Sequence, residues 1–162
     1  MKRTILIVDD EPQFVEMLDL RLTAHNYRVI TARNGEQGVV MAKTQKPDLI
    51  LMDVMMPGMD GGQAAQAIRA APATANIPII FLTAMVGKEE VDDHNGRIGG
   101  GIFVSKTAGP AILLERIRLC LSENPKAAGG AAHSPPKTDE SRLMAHRPGI
   151  LRPSGGTNPR RG

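Results

Sequence analysis

The chain has 162 residues and a net charge of +3, with 41% hydrophobic but only 2% aromatic residues. That size holds one domain with an appendage, and its core must be filled by Ile, Leu, Val, Met and Ala. No apolar run approaches the roughly 18 residues of a membrane span, Met1-Lys2-Arg3 with the short run behind it is not a signal peptide, and the single Cys120 closes no internal disulfide, so a cytoplasmic protein without membrane contact is expected.

In chain order, Thr4–Val8 reads as a buried strand that runs straight into Asp9, Asp10 and Glu11. Two like charges about 4 Å apart cost roughly 4 kcal/mol at an effective dielectric of about 20, so such a run belongs on a solvated turn or around a cation. Gln13–Ala24 has helical spacing at Phe14, Met17, Leu18, Arg21 and Leu22, with Pro12 suited to a first turn. Arg28–Ala32 predicts a strand and Glu36–Thr44 a helix. Leu49–Met52 is another fully apolar strand ending in an acid, Asp53. Gly61–Ala71 predicts an Ala-rich helix, Ile77–Leu82 a strand, and Lys88–Ile98 a weak helix ended by Gly99-Gly100-Gly101. Ile102–Val104 predicts a short strand and Pro110–Ser122 a helix stopped by Pro125.

Five βα repeats imply an α/β fold, a parallel sheet with five helices on its two faces, and strands without polar alternation fit burial on both sides. The expected domain is 1–124. Residues 125–162 are rich in Pro, Gly and Arg, and are expected to be a disordered tail. The domain carries 13 Lys and Arg against 15 Asp and Glu, the tail 7 against 2. The tail has no aromatics to stack on bases, so nucleic-acid binding is not expected.

In open parallel sheets ligands bind beyond the carboxyl ends of the strands. Those ends carry Asp9 and Asp10, Asp53, Thr83, and Ser105-Lys106. Asp10 and Asp53 with a carbonyl and waters suit an octahedral Mg²⁺, one carboxylate can act as a nucleophile toward phosphorus, and Thr83 and Lys106 can bind phosphoryl oxygens.

ILIVDDEP, LILMDVMMPGMDG, IIFLTA and FVSK, in this order and spacing over about residues 3–123, closely resemble the receiver domain of two-component response regulators. The resemblance implies a flavodoxin-like, doubly wound five-stranded sheet of order 2-1-3-4-5. It implies phosphoryl transfer from a histidine kinase or phosphotransfer protein onto Asp53, with Mg²⁺ held by Asp53, by Asp10 directly, by Asp9 through water, and by the Met55 carbonyl. Thr83 resembles the switch hydroxyl, Lys106 the phosphate-binding lysine, and Phe103 the switch aromatic. The expected protein is a stand-alone signalling module, not a turnover enzyme, that acts by contact with an output protein. The family also forms dimers through its fourth-helix–fifth-helix face.

Two stretches depart from the family. Thr107 replaces the usual proline after Lys106, and a trans bond is expected there because a cis bond without proline costs about 2.5–4 kcal/mol. HNGRIGGG replaces a stretch usually richer in Ala and acids. Met55 and Met85 stand where the family tunes hydrolysis. Neither orients water by hydrogen bonding, so slow phosphoryl loss is expected. The competing readings are a receiver-like binding module that is never phosphorylated, and a haloacid-dehalogenase-type phosphatase. The phosphatase would need its nucleophile after the first strand and a second Asp two residues on, where Glu11 stands.

Overall fold

The computed structural model describes residues 1–84, 97–98 and 101–124. Five parallel strands form the sheet: β1 (Thr4–Val8), β2 (Arg28–Ala32), β3 (Leu49–Asp53), β4 (Ile79–Thr83) and β6 (Gly101–Ser105). A two-residue strand, β5 (Arg97–Ile98), adds to the edge, giving the order β2-β1-β3-β4-β6-β5. Leaving out that edge addition, this is the doubly wound 2-1-3-4-5 order. The helices among the described residues are α1 (Pro12–Ala24), α2 (Gly35–Gln45), α3 (Gly61–Ala70) and α4 (Pro110–Glu123).

Strand periodicity divides the core in two. Successive side chains of a strand point to opposite faces, so Ile5 and Ile7 of β1 join Leu18 and Leu22 of α1 and Leu113 and Ile117 of α4. Leu6 and Val8 join Ala42 of α2 and Ala64, Ala65 and Ile68 of α3 on the other face. Each fully buried Ile, Leu or Val among them stabilises the fold by about 1.5–3 kcal/mol. Gly38 lets α2 lie close on β1, since a Cβ there would stand 2.8 Å from Val8 Cγ1. The Asp60 carboxylate and the Gln63 side chain close a capping box at the start of α3, and the Asn34 side chain caps α2 through Gln37 N–H.

Some boundaries differ from expectation. β4 begins at Ile79 rather than Ile77, because Ile77 N–H turns back to the Thr74 carbonyl at 3.1 Å and Pro78 has no N–H to offer. β3 runs on to Asp53, which pairs in register with Leu82. The helix expected over Lys88–Ile98 falls mostly outside the described residues, but its last two do not belong to a helix. Arg97 and Ile98 pair antiparallel with Ile102 and Gly101. The edge of β6 offers backbone groups for such pairing. The fourth expected helix therefore has no counterpart among the described residues, and the tail expectation for 125–162 also lies outside them.

Candidate functional site

The chain runs from β1 to β2 on one side, then crosses to β3 on the other, so the ends of β1 and β3 flank the switch in strand order. Asp9 follows β1 and Asp53 ends β3. Carboxylate oxygens of Asp9, Asp10 and Asp53 lie within 4.8 Å of one another. Asp9 and Asp53 are buried, whereas Asp10 is exposed. Asp9 Oδ1 accepts the Glu11 N–H at 2.9 Å, and Asp53 Oδ1 accepts the Met55 N–H at 3.3 Å.

Lys106 enters from the loop after β6. Its Nζ is 2.8 Å from Asp9 Oδ2, 2.9 Å from Glu11 Oε1 and 3.3 Å from Asp53 Oδ2, and it sits 4.7 Å from the centre of the Phe14 ring. The loop is fixed from several sides. Lys106 N–H donates to the Thr83 carbonyl at 2.9 Å. The Ser105 hydroxyl accepts the Thr107 N–H at 3.2 Å and shares a hydrogen bond with the Thr107 hydroxyl at 2.9 Å. Threonine thus supplies an N–H and a hydroxyl that proline lacks, and no peptide bond among the described residues is cis, so Lys106–Thr107 is trans as expected.

Three carboxylates, those of Asp9, Glu11 and Asp53, surround one ammonium, and that of Asp10 adds a fourth to the acid cluster. Burial, and then the charge of Asp9, push the Asp53 carboxyl up to about 6, against the opposing pull of Lys106. Burial works against the Lys106 charge, but its contacts with Asp9, Glu11 and Asp53 outweigh it and hold the ammonium above the ordinary lysine range. Asp9 Oδ2 is buried and ion-paired with Nζ at 2.8 Å. An excess of hard oxygen ligands over a single ammonium suits a small divalent cation.

The expected switch residues lie on β4 and β6. Thr83 is buried at the end of β4 and pairs in register with Ser105. Phe103 is half-buried on the α3 side, and its cross-strand partner is Phe81. The two rings stack with centroids 5.0 Å apart and planes 23° from parallel, and the Arg69 guanidinium lies 5.9 Å from the Phe81 ring. Met55 is exposed, and Met85 lies outside the described residues. Sequence reasoning missed Glu11 and Phe14 as partners of Lys106, and Phe81 as the partner of Phe103. The third acid of the run was a signal for Glu11, but nothing in the sequence joined it to a residue 95 positions away.

A family model described as the response regulator receiver domain matches residues 5–118. Response regulator PleD of Caulobacter vibrioides is 39% identical over 119 residues, 73% of this chain and 26% of that protein. Probable transcriptional regulator ycf27 of Porphyra purpurea is 40% identical over 121 residues, 74% of this chain and 48% of that protein. The chain therefore spans between a quarter and a half of the length of these two relatives. Protein PilH of Pseudomonas aeruginosa is 37% identical over 119 residues, 73% of this chain and 97% of that protein. Among solved structures, a putative response regulator from Chloroflexus aurantiacus superposes with a TM-score of 0.66 at 31% identity, over 75% of this chain and 99% of that one. The chemotaxis protein CheY4 of Vibrio cholerae does so with a TM-score of 0.64 at 27% identity, over 75% of this chain and all of that one. With the sheet order, the acid cluster and the family match in agreement, this chain belongs to the response regulator receiver domain family.

Proposed function

We propose that residues 1–124 form a receiver unit that accepts a phosphoryl group on Asp53 from a histidine kinase or phosphotransfer protein, and passes the signal to an output protein by direct contact. Aspartate phosphorylation is general to the family. The observation that carries the assignment to Asp53 is the reach of a single ammonium, Lys106 Nζ, to Asp9 and Asp53 at 2.8 and 3.3 Å across the crevice between β1 and β3.

In this reading an Asp53 carboxylate oxygen attacks phosphorus. The new O–P bond forms as the bond to the donor's imidazole nitrogen breaks, and that nitrogen keeps the electron pair. Lys106 offsets the charge on the phosphoryl oxygens and Thr83 donates a hydrogen bond to them. Receivers bind Mg²⁺ at this acidic pocket, and here Asp10, Asp53 and the Met55 carbonyl would hold it, with Asp9 acting through water. When bound, the ion neutralises the carboxylates and the incoming phosphate. The phosphoryl group adds about −1.5 to −2 charges, which draw Thr83 inward and let Phe103 change place. The step is a single self-modification and its slow reversal, not turnover.

The test is intact mass after incubation with acetyl phosphate and Mg²⁺. Gain of one phosphoryl group by the wild type, dependent on Mg²⁺ and absent in Asp53→Asn, is expected. No gain by a folded wild type would instead favour a binding module that works without phosphorylation.

A further inference from the structure

Glu11 occupies the N-cap position of α1, yet its side chain makes no capping hydrogen bond. That position favours short polar side chains that fold back onto the first turn. The Glu11 carboxylate instead reaches across the crevice mouth and accepts a hydrogen bond from Lys106 Nζ at 2.9 Å. Glu11 shares the ammonium with Asp9 Oδ2 at 2.8 Å, while the Asp53 oxygen stands off at 3.3 Å. The Lys106 side chain is 9% exposed and lies against the Phe14 ring, whereas the Glu11 side chain is 63% exposed. The ammonium is thus the fixed partner, and the glutamate the one with water to move into.

We propose that Glu11 is a positioning residue that stands in for the phosphoryl group. It holds Lys106 while Asp53 is unmodified and releases it when Asp53 is phosphorylated. The proposal rests on the reading of Asp53 as acceptor. An ammonium has three N–H donors, and three carboxylates surround this one. A phosphoryl group of about two negative charges at Asp53 competes for those donors and repels the nearby Glu11 carboxylate. Glu11 takes part in no covalent step. With acetyl phosphate as donor, the Asp53 oxygen bonds phosphorus as the bond to acetate oxygen breaks, and acetate leaves with the electron pair. What Glu11 sets is the availability of Lys106, and its release moves a carboxylate at the start of α1 into solvent.

The experiment measures binding of beryllium trifluoride with Mg²⁺, a stable mimic of the phosphoryl group, and the rate of phosphorylation by acetyl phosphate. Glu11→Gln is expected to bind the mimic about two- to fivefold more tightly and to react faster, the range a partly screened ion pair covers. Glu11→Asp keeps the charge but is one methylene shorter, and is expected to behave like Glu11→Gln. In a Lys106→Met background the effect of Glu11→Gln is expected to vanish, which only action through the lysine explains. Equal or weaker binding by Glu11→Gln overturns the proposal, and so does a gain that persists without Lys106 or a Glu11→Asp variant that matches wild type. A wild type that takes up neither phosphoryl group nor mimic would remove the acceptor reading as well. A wild type that takes up both, with Glu11→Gln unchanged, removes this inference alone.

Discussion

The Phe103 ring stacks on the Phe81 ring, centroid to centroid at 5.0 Å, from directly opposite positions on β6 and β4. An aromatic pair of this kind contributes about 0.5–1.5 kcal/mol beyond its buried area. A double-mutant cycle of Phe81→Leu and Phe103→Leu, read by chemical denaturation, is expected to return a coupling of that size. If Phe103 turns on phosphorylation, the coupling shrinks when beryllium trifluoride and Mg²⁺ are bound. A coupling unaffected by the mimic would remove Phe103 from the switch.

The raised Asp53 carboxyl gives a pH dependence of defined sign. Its folded value of about 6 lies above the ordinary 3.8. Well below pH 3.8 the group is protonated whether the chain is folded or not, and it costs nothing. As pH rises toward 6 the unfolded chain ionises first, so stability of the metal-free protein falls, by roughly 3 kcal/mol at neutral pH. Asp53→Asn is therefore expected to stabilise the metal-free protein at pH 7 and to make little difference at pH 4. Denaturation at the two pH values checks this, and a destabilised Asp53→Asn at pH 7 would contradict it.

Mg²⁺ should reverse that penalty. At about one hundred times its dissociation constant, a ligand of the native state adds about 2.7 kcal/mol. Calorimetric melts are expected to move up by several degrees with Mg²⁺ and not with K⁺ at equal ionic strength, and Asp10→Asn is expected to lose most of the shift. An Asp10→Asn variant with the full shift would take Asp10 out of the ligand set.

Gly61 stands where α3 begins beside the acceptor. A Cβ there would collide with the Asp53 carbonyl oxygen and come within 3.0 Å of Val54 Cα. Both are backbone, so neither yields as a side-chain tip would. Gly61→Ala is expected to cost about 1–3 kcal/mol and to slow phosphorylation of whatever remains folded, because relief of the clash shifts the residue that carries the acceptor. Gly62→Ala is the control, since its added Cβ meets only the end of the Asp60 side chain, at 3.2 Å.

Phosphoryl lifetime tests the two methionines. Met55 is exposed beside Asp53 and has no group to direct a water. Met55→Asn supplies an amide and is expected to shorten the lifetime severalfold, with the uptake of the group preserved. Time-resolved intact mass after removal of the donor reads both.

The parts of the fold set by local pattern were legible. Leu6, Ile50 and Ile80 sit in runs without polar alternation, which only strands covered on both faces tolerate, and the acids that end those runs marked the crevice. What depended on contacts across the chain was not. Glu11 and Lys106 meet only because β1 and β6 feed loops to one edge, and Phe14, read only for its helical spacing in α1, also walls in the lysine. Phe81 and Phe103 are paired by register, which a sequence shows only after the strand order is known. Arg97 and Ile98 joined a strand against their helical reading because the open edge of β6 outweighed a weak local preference.

The ion cluster at the crevice draws on residue 9, just after the first strand, residue 53, at the end of the middle strand, and residue 106, just after the last parallel strand. A nascent chain has no ammonium to set beside its acids until nearly all of the sheet has been made. A truncated or half-folded copy therefore has the acids without the cation that balances them.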